Sequence, residues 1–250
     1  MTGNAHIGTM GWSYSFWTGI FYPKGISPGD LLTEYSKHFD TVEVDNTFYR
    51  IPYASTVRRW KERTPSNFLF AAKFPKTITH DKMLVDSGEE LQIYMRNISH
   101  FGSKLGPMLL QFPPEFGLQH FRILREFLPT LPRGKRFAVE VRNRALLGDG
   151  LYNLLRENGV ALAFVDSPSI PLSEEITADF VYVRWEGDRR KVNGKMGRVE
   201  IDRGKEIERW SKKIGKLLDV VPNVFGYFSK YYSGYPPDDA KRLVGFLRSK

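Results

Sequence analysis

Six apolar, β-prone runs in this chain reach a charged or amide side chain as they end: TVEVDN (Thr41–Asn46), FLFAAK (Phe68–Lys73), MLLQF (Met108–Phe112), FAVEVR (Phe137–Arg142), ALAFVD (Ala161–Asp166) and FVYVRWE (Phe180–Glu186). Between most of them the apolar residues recur with helical spacing. Strands that alternate with helices and carry polar groups at their C-terminal ends describe a (β/α)8 barrel, whose sites sit at that face.

A first strand at His6–Trp12 and a last at Val224–Phe228 bring the strands to eight. Helical stripes are expected at Leu31, Leu32, Tyr35 and Phe39, at Val57 and Trp60, and at Leu91, Tyr94, Met95 and Ile98. Others follow at Phe121, Leu124, Leu128 and Leu131, then at Leu151, Leu154 and Leu155. The last two are Ile207, Trp210, Ile214, Leu217 and Leu218, and Ala240, Leu243, Val244 and Leu247. Only a weak helix is expected between the sixth and seventh strands, around Ser173–Ile176. With no linker or composition break, the chain reads as one α/β TIM-barrel domain over residues 1–250. An open doubly wound sheet is the rival, but no Gly-rich phosphate fingerprint follows the first strand.

The length of 250 residues suits one such barrel. The absence of cysteine excludes disulfides, thiolate metal sites and cysteine nucleophiles. No apolar run approaches the roughly 20 residues that span a bilayer, and the N-terminus lacks the pattern of a signal peptide. A cytoplasmic protein without membrane contact is the expectation. The net charge of +9 favours phosphate-bearing small molecules or nucleic acid as partners, with simple solubility as the alternative. Basic residues concentrate between Arg184 and Lys205, where Arg189, Arg190, Lys191, Lys195, Arg198 and Arg203 also lie.

Side chains alternate along a strand, so parity sorts them. Val42 and Val44 oppose Glu43 and Asp45, and Val139 and Val141 oppose Glu140 and Arg142. Lys73 shares a face with Ala71, and Arg184 with Tyr182 and Glu186. With the aliphatic face on the helices, Glu43, Asp45, Lys73, Gln111, Glu140, Arg142, Asp166, Arg184 and Glu186 are expected to converge on the barrel mouth. Burying so many ionisable groups is costly unless they pair. The set therefore reads either as a ligand site or as an ion-pair network filling the interior, and branched aliphatics would be the ordinary filling for a purely structural barrel. Among the many aromatic residues, Trp12 and Tyr49 lie just beyond strand ends and are candidates to stack on a ligand.

GTMGWSYSFWTGIFYP (Gly8–Pro23), TVEVDNTFYR (Thr41–Arg50), FAAKFPKTITH (Phe70–His80), LGPMLLQFPPEF (Leu105–Phe116), AVEVR (Ala138–Arg142) and YVRWEG (Tyr182–Gly187) together resemble the YecE-like family, domain of unknown function 72. The resemblance implies a TIM barrel and carries no established activity. It marks Trp12, Glu43, Phe48, Tyr49, Lys73, His80, Gln111, Glu140, Arg142, Asp166 and Arg184 as matched site positions. The chain departs from the family pattern at Met10, Asp45, Asn46, Asn143, Glu186, Ser229 and Lys230.

Three functions fit these residues. The first is binding or hydrolysis of a phosphate-containing ligand, a nucleotide or nucleic acid. Lys73, Arg142 and Arg184 would clamp the phosphoryl group, and Glu43, Glu140 or Asp166 would supply acid–base catalysis. Trp12, Tyr49, His80, Gln111 and Glu186 would complete the substrate site. The loop after the seventh strand, rich in basic residues and glycine, falls where barrels commonly hold phosphate. The second is glycoside hydrolysis by Glu43 and Glu140. The third is a non-catalytic phosphate or RNA binder. A divalent cation could be held by Glu43, Asp45, Glu140, Asp166 and Glu186, the histidines show no zinc-ligand spacing, and no organic cofactor is indicated.

Overall fold

The computed structural model describes residues 3–249. In chain order they form β1 (Asn4–Thr9), α1 (Leu31–Tyr35), β2 (Thr41–Val44), α2 (Asn46–Tyr49), α3 (Ala54–Glu62), β3 (Leu69–Lys73), α4 (Gly88–Ile98), β4 (Leu105–Gln111), α5 (Phe121–Phe127) and β5 (Phe137–Glu140). These are followed by α6 (Asp149–Glu157), β6 (Ala161–Asp166), β7 (Phe180–Trp185), α7 (Gly204–Leu217), β8 (Asn223–Phe228), α8 (Lys230–Ser233) and α9 (Pro236–Arg248).

All eight strands are parallel and run in the order β1-β8-β7-β6-β5-β4-β3-β2. The seam between β1 and β2 has no regular ladder. The Tyr35 hydroxyl, carried in from α1, stands in for it by accepting from Thr9 N (2.9 Å) and donating to the Thr41 carbonyl (3.1 Å). A further bond from Gly11 N to the Glu43 carbonyl (2.8 Å) draws the strand ends together. Gly8 permits this approach, because a Cβ there would lie 2.3 Å from the Thr41 carbonyl oxygen. The barrel is thus nearly closed, as expected for a TIM fold.

Register fixes which side chains share the interior. Glu43 lies opposite Ala71, Lys73 opposite Leu109, Gln111 opposite Glu140, Val165 opposite Arg184, and Tyr182 opposite Phe225. Small residues (Gly8, Ala71, Ala138, Ala163) sit beside or among Tyr182, Arg184, Phe225 and Tyr227, which leaves room inside for the large groups. The opposite face, with Val42, Val44, Phe70, Val139, Phe164, Val183 and Trp185, is buried under the helical layer.

Two local expectations need correction. β1 ends at Thr9 rather than Trp12, since Gly11 turns the chain with a φ of 76° and Trp12 packs edge-on against Trp60 of α3. Ser173–Ile176 is not helical. Thr177 anchors this segment along β6 instead, accepting from Leu162 N and donating to the Val160 carbonyl, both at 2.7 Å. No helix among the described residues is long and apolar enough to cross a membrane.

Candidate functional site at the barrel mouth

Arg184 is the centre of the mouth and is 2% exposed. Its Nε and Nη2 hold Glu43 through both carboxylate oxygens (3.0 and 2.8 Å), and its Nη1 reaches Glu140 (2.6 Å) and Glu186 (2.5 Å). Nη2 also donates to the Met10 sulfur at 3.3 Å. A guanidinium has five N–H groups, and here each has an acceptor. Tyr182 Oη donates to Glu43 (2.6 Å), while Gln111 Nε2 (2.6 Å) and Arg142 Nε (3.0 Å) donate to Glu140. Burial pushes both glutamates towards their neutral forms, but Arg184 outweighs it. Glu43 is held below the usual carboxylate range, and Glu140, with Arg142 adding to Arg184, falls to about 2. Both are therefore anions at neutral pH.

Above this floor opens a pocket of about 400 Å³, lined in part by Asp45, Lys73, His80, Arg142, Arg189 and Lys230. Lys73, the last residue of β3, is 8% exposed. Its Nζ has no hydrogen-bond or ion-pair partner among the described residues; it sits 4.1 Å from the Phe48 ring centre. Burial and the nearby Arg184 charge lower its affinity for a proton, against the opposing pull of Asp45, Glu43 and Glu140. Asp45, at the end of β2, is raised to about 7 by burial and by the adjacent Glu43 anion, so it can give or take a proton near neutrality. His80 packs edge-on against Phe48 and is kept neutral by burial and by Lys73 and Arg142. Lys230 projects among the rings of Tyr14, Phe16 and Tyr231, and Arg189 stacks over Tyr231 at 4.9 Å.

Parity correctly groups Glu43, Lys73, Gln111, Glu140, Arg142, Arg184 and Glu186. Tyr49, 75% exposed, stands at the rim. Two expected site residues lie elsewhere. Asp166 shares its face with Leu162 and Phe164, pairs in register with Trp185, and accepts from Trp210 Nε1 of α7 (2.8 Å) outside the barrel. Trp12 is buried against Trp60 and does not line the pocket. The basic loop after β7 contributes only Arg189 to this pocket; Arg190 pairs with Asp188, and Lys191, Lys195 and Arg198 are exposed. Its glycines serve packing rather than an open anion cradle. Gly187 has a φ of 68°, and a Cβ there would meet the Tyr231 carbonyl at 2.1 Å.

Met10, Tyr14, Asn46, Ser229, Lys230 and Tyr231 complete the lining and were not expected as site residues, whereas Arg189 belongs to the basic loop proposed for phosphate. Ser229 follows β8 as Asp45 follows β2, and Lys230 and Tyr231 begin α8 just beyond it. Of the seven departures from the family pattern, all but Asn143 line this pocket. A divalent cation does not suit the acids. Glu43, Glu140 and Glu186 converge on Arg184, Asp166 faces away, and no group of three or more potential ligands occurs among the described residues.

The profile of a family described as "Protein of unknown function DUF72" matches residues 6–250. The Escherichia coli K12 protein YecE, of the UPF0759 group, is 32% identical over 180 residues, covering 68% of this chain and 64% of YecE. The match thus spans less than two thirds of that relative's length. Bacillus subtilis YunF is 26% identical over 278 positions, covering 97% of this chain and 94% of that protein. A DUF72 family protein from Thermotoga maritima (TM1631) superposes with a TM-score of 0.86 at 24% identity, covering 98% of this chain and 99% of that one. One from Enterococcus faecalis gives a TM-score of 0.80 at 22% identity, covering 98% and 96%. Neither the profile nor these names assign an activity, but they agree on kinship: the chain belongs to the DUF72 family of YecE-like TIM barrels.

Proposed function

We propose that the barrel mouth binds a phosphate-bearing ligand, a nucleotide or a segment of nucleic acid. The observation that carries this reading is Lys73, a buried ammonium that faces the pocket without an ion-pair partner among the described residues. Burying a lone cation is costly, and an entering phosphate would supply the missing charge. Arg142, Arg189 and Lys230 line the same space, where Asp45 and Glu186 are the only carboxyl groups. The rings of Tyr14, Phe48, Tyr49 and Tyr231 offer faces for a base or ribose. Binding, rather than hydrolysis by Glu43 or Glu140, is the part these contacts support.

Glycoside cleavage loses its main support. It needs one carboxyl group that is protonated before reaction, whereas Glu43 and Glu140 are bridged by one guanidinium and both held ionised. Calorimetric titration with 5′-AMP, inorganic phosphate, adenosine and a short single-stranded RNA tests the binding reading. Saturable binding of AMP that weakens with salt, with adenosine at least about tenfold weaker, is expected. Equal affinity for AMP and adenosine, or no binding of any phosphate compound at low salt, would refute it.

A further inference from the structure

A lysine amine attacks carbonyl carbon only as the free base, and desolvation or a neighbouring cation makes that form accessible. Lys73 has both, being buried with Arg184 on the facing side of the barrel. The charged groups and histidine around it are Glu43 from β2 and Asp45 just after it, His80 from the turn after β3, Glu140 from β5 with Arg142 beyond it, Arg184 from β7 with Glu186 and Arg189 beyond it, and Lys230 after β8. Glu43, Glu140 and Glu186 are committed to Arg184, and Arg142 adds to the hold on Glu140. Asp45 is the remaining carboxyl group, and it lines the same pocket as Lys73 and His80.

The segment carrying His80 is a π-turn, Thr77–Asp81, followed by Met83, Leu84 and Asp86 with φ of 47°, 74° and 44°. Non-glycine residues in that region are strained, and such strain gathers at sites where placement matters. The turn is secured by Leu84 N on the Ile78 carbonyl and by Lys82 Nζ on the Asp86 carbonyl, both at 2.9 Å.

We propose that Lys73 is an amine nucleophile that forms an imine with a phosphate-bearing aldehyde or ketone held in this pocket. The proposal rests on the phosphate reading above and adds the reacting group of the ligand. In the first step the Lys73 ammonium passes one proton through a water to the Asp45 carboxylate, and the Nζ lone pair attacks the carbonyl carbon. The carbonyl π pair moves to oxygen, which takes a proton from the new ammonium centre to give a carbinolamine. The nitrogen lone pair then expels that oxygen, which leaves as water with the proton held by Asp45. One ammonium and one carbonyl give one protonated imine and one water, with no change of oxidation state. Neutral His80 beside the pocket can accept a hydrogen bond from the carbinolamine hydroxyl. Arg142, Arg189 and Lys230 are left to hold the phosphate.

Pyridoxal 5′-phosphate and pyridoxal serve as carbonyl probes with and without the phosphate. The intact protein is incubated with each, reduced with cyanoborohydride, and mapped by peptide mass spectrometry. Labelling of Lys73 about tenfold faster than exposed Lys37 or Lys195 is expected, with the phosphorylated aldehyde faster than pyridoxal. Asp45→Asn should slow the labelling. Lys73→Arg should abolish the adduct, because a guanidinium keeps the charge and forms no imine. Labelling of Lys195 with Lys73 untouched would overturn the proposal and leave the AMP result standing. Equal rates with both aldehydes would overturn the phosphate-bearing substrate class, together with the reading on which it rests.

Discussion

Arg184 and Lys73 are both buried cations on inward-facing strand positions, yet their surroundings differ completely. Arg184 has an acceptor for every N–H and draws three carboxylates around it. The Lys73 Nζ lies over the Phe48 ring beside the open pocket, with no ion-pair partner among the described residues. The first arrangement is self-contained, because a planar fork can satisfy several carboxylates at once. Under the proposed function, the second is completed by an anion in the pocket. The mouth therefore has a self-paired floor and an upper layer whose cation has no ion-pair partner among the described residues, and charge alone does not tell them apart. Satisfied valence does.

The largest effect should come from removing the floor's centre. Arg184→Leu leaves Glu43, Glu140 and Glu186 without their shared cation, and a loss of about 3–5 kcal/mol or more is expected in urea unfolding. A loss under about 1 kcal/mol would mean that the network is not a unit. Lys73→Met should be neutral to about 1 kcal/mol stabilising, since it removes a lone buried charge. A cost comparable to that of Arg184→Leu would erase the distinction between the two layers.

Buried carboxyl groups make the same contrast visible in pH. Glu140 faces Arg184 and Arg142, and its folded value of about 2 lies below the ordinary 4.5. The stability it contributes is present above the ordinary value and is lost as pH falls towards about 2. Asp239 in α9 is fully buried with Ser233 as its hydrogen-bond partner, and its second oxygen has none. Burial, opposed by the Ser233 bond, raises it from 3.8 to about 7. Its penalty therefore grows as pH rises between those values. Asp239→Asn should stabilise the fold at about pH 8, by as much as a few kcal/mol, and should do nothing at about pH 3. Thermal melts across that range check the sign; a gain that is largest in acid would contradict it.

The smallest effect is expected at Asp166. Asp166→Ala removes the acceptor for Trp210 on the outer face and should cost about 1 kcal/mol. AMP affinity should not change, and a tenfold loss (about 1.4 kcal/mol) would return Asp166 to the site.

Most of the barrel was legible in the sequence, because the strands read as short apolar, β-prone runs ending in polar groups and most helices show an apolar stripe. The inward set of Glu43, Lys73, Gln111, Glu140 and Arg184 followed from parity alone. Asp166 was misplaced because its position at a strand end was weighed above its parity with Leu162 and Phe164. Trp12 failed for a different reason: the turn at Gly11 redirects the chain, and its packing partner Trp60 lies far away in sequence. No local pattern could show that Tyr35 seals the barrel seam, since its role exists only once β1 and β2 meet. Nor could composition separate Arg184 from Lys73. That difference depends on which acids come within reach, and reach is a property of the closed barrel.

Under the proposed function, Lys73 is a cation that a ligand completes. The most direct test is an AMP titration of Lys73→Met beside the wild type at low salt. The account predicts affinity weakened by about tenfold or more in a protein that unfolds no more easily than the wild type. Unchanged affinity in a folded variant would contradict it.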